Sequence, residues 1–222
     1  MILYILGCVA TSITCCMLYN EYKNRSNSLP EDHPLVKEAR NFALKNGISQ
    51  NFYIVPSLNV FNTGPFSAAT EKTVFTNYIH ISNIYTSKTG IIDIVKNSDS
   101  IDLILDKCKI RMTATNASEL DQDLSEIKSI INELITCAHF VIGHELGHTK
   151  EKPYMGLRSW MEVEKQRKHE HEADLISAKT YREQAFKWFE YSQKLNKISG
   201  HKTDDKTHPP YEKRIEYLQQ KL

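Results

Sequence analysis

The segment His144-Glu145-Leu146-Gly147-His148 constrains this chain more than any other feature. Two imidazoles at i and i+4 lie about one turn apart on one face of a helix, so both can reach a single metal ion. The pattern carries that meaning only on a helix, and the residues before it supply one. Ile127, Ile130, Ile131, Leu134, Ile135, Ala138 and Ile142 recur at three and four residues, which puts one stripe against a core. Helix is therefore expected from about Ser118 through the motif. Glu145 emerges about 100° round from His144, within reach of a water on the metal without being the first group to bind it.

Two histidines do not complete a catalytic zinc site, which takes three protein ligands and leaves one position to water. Downstream, Glu170-His171-Glu172-Ala173-Asp174 sets two carboxylates, Glu170 and Asp174, at i and i+4. One can bind the metal while the other accepts a hydrogen bond from the far nitrogen of a ligand imidazole, fixing its tautomer. Glu172 points to another face of the same helix and is the substitute ligand should Glu170 be an ordinary surface charge. His139, His169 and His171 fall off the metal face and read as core or surface histidines. Tyr154 and Tyr211 have hydroxyls suited to a developing oxyanion, with no positional argument for either.

The rest of the chain reads as α+β. Pro34 can open a helix, Leu35, Val36, Ala39, Phe42 and Ala43 follow helical spacing, and Gly47 stops it. Residues 52–55 and 74–81 are β-rich runs bounded by turn residues, expected to pair in a small antiparallel sheet. Residues 91–95 and 101–105 are apolar runs of undecided type. A long helix is expected from about Trp160 to Leu195, and a short one from Tyr211 to Leu222, entered through Pro209-Pro210.

Residues 2–19 hold no charge over 18 positions, close to the length a membrane helix needs. No Lys or Arg precedes them, so they read as a single-pass anchor in preference to a removed signal peptide. Lys23 and Arg25 follow, which favours the cytoplasmic side for the remainder. The expected order is an anchor or signal segment at 1–19, a linker at 20–34 and one globular domain at 35–222. Five cysteines, three of them in the apolar N-terminus, argue against a disulfide framework. The formal net charge of +1 gives no reason to expect a nucleic-acid partner.

HELGH followed by EHEAD resembles the gluzincin signature HExxH…ExxxD, and more narrowly the HtpX and CAAX prenyl protease group of membrane-associated metallopeptidases. The segment Thr207-His208-Pro209-Pro210-Tyr211-Glu212-Lys213-Arg214-Ile215 is similar to the HPxxxxRI segment near the ends of those proteins. Residues 59–64 and the strand ending near Thr76 are similar, more weakly, to a region upstream of the group's motif. The resemblance implies a zincin-like, mostly helical metallopeptidase domain at 35–222. It implies Zn2+ bound by His144, His148 and Glu170, with Asp174 behind a ligand and Glu145 as general base. It also brings His208 to the metal, either to stabilise the transition state or to cap the ion. Protein or peptide substrates are implied with it.

Two departures stand out. Only 21 residues separate His148 from Glu170, fewer than is usual in the group, and the additional membrane helices are missing. A short gap also resembles the phage-exclusion peptidases that cut a translation elongation factor. Two other classes remain as alternatives: a non-catalytic zinc-binding or chaperone-like protein on a peptidase scaffold, and a metal-free, membrane-anchored interaction module.

Overall fold

The computed structural model describes residues 2–57, 68–72, 76–82, 85, 117–150, 163–199 and 208–222; the side chains of 2–13, 57, 72, 117–124, 128 and 199 are outside that description. The undecided runs at 91–95 and 101–105, the weak resemblance at 59–64, the Cys8 side chain, Cys108, Tyr154 and the start of a helix at Trp160 all lie outside it.

The first half builds a small sheet between two helices. Helix α1 (Ile2–Ser26) runs well beyond the apolar segment, so the linker expected at 20–34 begins as helix. Its last turns are held by tertiary contacts. Tyr78 donates to the Glu21 carbonyl at 3.3 Å, Arg25 lies 5.2 Å over the Tyr53 ring, and Asn24 donates to Glu71 at 3.3 Å. Among the described residues, no helix is long and apolar enough to cross a membrane. Helix α2 (Pro34–Lys45) begins and ends as its sequence implies. Pro34 occupies the first turn, the His33 ring accepts from the Leu35 amide, and Gly47 leaves the helix at φ 64°.

Strands β1 (Phe52–Ser57), β2 (Ala68–Lys72) and β3 (Asn77–Ser82) form one sheet in the order β1-β3-β2. The sheet is mixed, which corrects the antiparallel pairing expected of 52–55 with 74–81. β1 runs parallel to β3, with Ile54 opposite Ile79, and the antiparallel partner of β3 is β2. β2 reads Ala-Ala-Thr-Glu-Lys and has no apolar run to announce it. As the middle element in sequence it takes β3's second edge, which leaves β1 and β3 pointing the same way. Alternation along β3 then sorts the faces. Ile79 and Ile81 are buried in the main core, whereas Tyr78 and His80 turn to the side that carries α1.

Among the described residues the second half is helical, but broken where its periodicity gave no warning. Helix α3 (Ala117–Thr136) ends at Cys137, and α4 (Ala138–Lys150) starts at once. The apolar stripe from Ile127 to Ile142 survives the break, and Ile127, Ile130, Ile131, Leu134, Ala138 and Ile142 are all buried. The single helix expected from Trp160 to Leu195 is two, α5 (Val163–Ala178) and α6 (Arg182–Ser199). No Gly or Pro marks that break. Tertiary contacts make it, with Tyr181 stacking on Phe42 and donating to Glu38 at 2.8 Å. Helix α7 (Tyr211–Lys221) begins after Pro210, as expected.

The contact that matters most for the site is α4 against α5. A Cβ added at Gly147 would lie 2.9 Å from the Ala173 Cα, and one at Gly143 would lie 2.4 Å from the Ser177 hydroxyl. Small residues four apart on both helices let the two backbones nearly touch. Gly143 meets Ser177 and Gly147 meets Ala173, so the helices run antiparallel, and the Ser177 hydroxyl donates to the Phe140 carbonyl at 2.8 Å. Glu170 and Asp174 flank Ala173 and are thereby pressed onto His144 and His148.

Candidate metal centre

The close approach of α4 and α5 gathers three groups into one small space. His144 Nε2 and His148 Nε2 stand 3.1 Å apart. Glu170 presents Oε2 at 3.3 Å from the first and Oε1 at 3.4 Å from the second. Ligands about 2.0–2.1 Å from a tetrahedral zinc stand about 3.3–3.4 Å from one another, so these spacings fit such an ion. Glu145 borders the same space. The ligating atoms of His144, Glu145 and His148 all lie within 4.8 Å of one another, close enough to hold a metal ion.

The two carboxylates that face this space are held differently. Glu170 comes from α5, across the tight interface, and is 4% exposed. Glu145 is on α4 with the histidines but turned toward the sheet, where the Thr70 hydroxyl of β2 lies 2.8 Å from its Oε2 and 3.0 Å from its main-chain carbonyl. Glu172 is not in the site. It pairs with Lys168 at 3.6 Å and His169 at 3.6 Å on another face of α5.

Behind the histidines sits a buried chain of charge. His144 Nδ1 meets Asp174 Oδ1 at 2.9 Å. Arg214, from α7, closes on Asp174 with two donors, Nε to Oδ2 at 2.7 Å and Nη2 to Oδ1 at 2.6 Å, and lies 3.8 Å from Glu170. This is the planar fork that guanidinium and carboxylate share, here with Arg214 at 4% exposure and Asp174 at 0%.

Burial is the largest single influence on all four of these groups and works against their charges, yet ion pairing overrides it in each. Asp174 and Glu170 raise His144 to about 10. His148, His144 and Arg214 hold Glu170 well below the usual carboxylate range. Arg214 and His144 hold Asp174 down, and Asp174 with Glu170 raises Arg214 further above its ordinary value. The cluster therefore stays charged without a metal, with a proton on His144 that a metal ion must displace.

His208 lies at the rim. Its Nε2 is 3.8 Å from Glu170 Oε1, and its side chain is 46% exposed, the most open of the group. His171 and His139 are occupied elsewhere. The His171 ring packs 4.6 Å from Tyr217, and His139 lies against Tyr181 at 5.8 Å. Tyr211 is packed on Trp188 and Phe189 in the core and does not join the site.

The structure thus brings His144, Glu145, His148, Glu170 and Asp174 together, with His208 at the edge. Two partners in the site have no role in the sequence reading. Arg214 has a signal, its place in the segment after His208-Pro209. Thr70 has none, because it sits in a strand with no apolar pattern. No family model matches the chain, and no characterised protein or solved structure matches it either.

Proposed function

We propose that this chain is a zinc-dependent endopeptidase of the gluzincin type, acting on protein substrates. The observation that carries the reading is the convergence of two imidazole nitrogens 3.1 Å apart with Glu170, one carboxylate oxygen 3.3 Å from the first and the other 3.4 Å from the second, and with a further carboxylate, Glu145, beside them. His144, His148 and Glu170 are the ligands, and the motifs HELGH, EHEAD and HPxxxxRI support the narrower resemblance to the HtpX and CAAX prenyl protease group. A zinc ion held by these three residues would lower the pKa of a bound water toward about 7 and would polarise a peptide carbonyl.

The chain's own residues do the rest. Glu145 takes the proton from the attacking water and returns it to the leaving amine, so one group serves as base and then acid. Asp174, 2.9 Å from His144 Nδ1, fixes that ring with its Nε2 free to face a metal. Arg214 keeps Asp174 ionised for that task. His208, half open to solvent, shares the negative charge that builds on the carbonyl oxygen.

The uncharged segment 2–19 supports anchoring of this peptidase to a membrane, with Lys23 and Arg25 favouring the cytoplasmic side for the domain. Met17, Leu18, Tyr19 and Tyr22 are exposed large apolar side chains in α1 and fit that placement.

The test uses the full chain. Zinc content is measured for wild type, Glu170→Ala and Glu172→Ala, and hydrolysis of fluorescein-labelled casein for wild type and Glu145→Gln. One zinc per chain lost only in Glu170→Ala, with turnover lost in a zinc-loaded Glu145→Gln, supports the reading. Zinc retained in Glu170→Ala, or casein cleavage retained in Glu145→Gln, overturns it.

A further inference from the structure

The general base assigned above is held from outside its own helix, by the Thr70 hydroxyl. We infer that Thr70 is a positioning residue for Glu145, an inference that rests on the peptidase reading. The hydroxyl has one proton and two acceptors within reach, the Glu145 Oε2 at 2.8 Å and the Glu145 carbonyl at 3.0 Å. The shorter bond goes to the charged group, and a bond to a carboxylate is the stronger of the two kinds, so the proton goes to Oε2. Glu145 is 7% exposed, and in so dry a setting a charge-assisted bond directs a side chain more firmly than it does in water.

Thr70 is itself fixed from two sides. The β2–β3 ladder sets it opposite Ile79, and a β-branched side chain has few rotamers on a strand. The sheet therefore decides which carboxylate oxygen is tethered. With Oε2 held by Thr70, the carboxylate meets the water, and then the amine, in one fixed orientation. A carboxylate that could spin about its last bond would present either oxygen and spend part of its time turned away. Thr70 removes that freedom without touching metal or substrate, and through it the strand governs the base.

The experiment compares wild type, Thr70→Val and Thr70→Ser, with Glu145→Gln as control. Valine keeps the branched shape and loses the hydroxyl; serine keeps the hydroxyl and loses the methyl. On fluorescein-labelled casein, Thr70→Val retains one zinc and an unchanged KM while kcat falls about 10- to 100-fold, as for other groups that orient a site from behind. Thr70→Ser recovers most of that loss. In metal-free protein, melting temperatures of Thr70→Val, Glu145→Ala and their double variant are non-additive, because each change removes the side-chain partner of the other. Wild-type kcat in Thr70→Val, equal losses in valine and serine, or additive melting shifts overturn the inference and leave the peptidase reading standing. Casein cleavage retained in Glu145→Gln overturns the reading, and this inference falls with it.

Discussion

The two flanks of helix α4 are built on opposite principles. On one side α5 presses so close that Gly147 has no room for a Cβ, and the interface is filled with charge: His144, His148, Glu170, Asp174 and, behind them, Arg214. On the other side α4 meets β2 and β3, and Glu145 is tied to the sheet through Thr70. A metal ion needs several ligands fixed to within fractions of an ångström, which takes a rigid interface and a network of partners. A base needs to pass one proton back and forth, and a tether on one oxygen leaves it able to do so. In the proposed reading, the difference separates the groups that would hold the metal from the group that would move the proton.

The largest effect expected from this contrast is at Arg214. Arg214→Leu removes the partner of a fully buried carboxylate, and unfolding in denaturant should show a loss of about 3–5 kcal/mol. The conservative Arg214→Lys should recover only part of it, since an ammonium cannot bond both oxygens of Asp174 in the plane. A loss under about 1 kcal/mol for Arg214→Leu, the size of a surface pair, would mean that the charged flank is not what makes α4–α5 rigid.

Gly147→Ala comes next. The new methyl meets backbone, not a flexible side-chain end, so the helices must separate. The expected cost is about 1–3 kcal/mol, with weakened zinc binding, because Glu170 moves away from the histidines with its helix. Unchanged zinc affinity in this variant would show that the ligand set does not depend on the close approach.

Asp174→Asn probes orientation with charge removed. Zinc affinity, measured by competition with a chelator, should fall about 10- to 100-fold. Glu145→Gln, on the opposite flank, should leave it within a few fold.

Acidity sharpens the comparison further. In the metal-free protein His144 is raised from 6.5 to about 10. Its contribution to stability is fully present below about pH 6.5 and is lost as pH rises through about 10. Glu170 and Asp174 are lowered from 4.5 and 3.8, so their contributions are present above those values and lost as pH falls. Melting temperature without metal should therefore be highest between these limits and decline toward about pH 10. Bound zinc takes the place of the His144 proton and should flatten the alkaline decline. An alkaline decline unaffected by zinc would place its origin outside the site.

The smallest effect belongs to the exposed pairs. Lys213→Ala breaks a surface bond to Glu216 at 2.8 Å and should leave the denaturant midpoint within experimental error, which calibrates the others.

Much of the site is legible in the sequence. The histidine pair, Glu145, Glu170 and Asp174 belong to two helices, and each helix carries its residues at fixed spacing. The structure brings all five together. The halves of the chain differ in how well they can be read. The helical half shows its apolar stripe from Ile127 to Ile142, although the breaks at Cys137 and at 179–181 are invisible because neither contains Gly or Pro. The sheet reads less well. β2 has no apolar run, so nothing local reveals its partnership with β3, and without it β1 takes the wrong direction. The linker expected at 20–34 begins only after Ser26 for a related reason: contacts with Tyr53, Glu71 and Tyr78 extend helix through polar residues that would not form it alone.

The sequence by itself determined where the helices carry their chemistry, because a helix repeats every 3.6 residues and its pattern is written in neighbouring positions. Tertiary structure alone decided which distant groups complete that chemistry. Arg214 reaches Asp174 over 40 positions, and Thr70 reaches Glu145 over 75. No local period records such a pair. It exists because Gly143 and Gly147 let α5 approach one flank of α4 while a short polar strand meets the other.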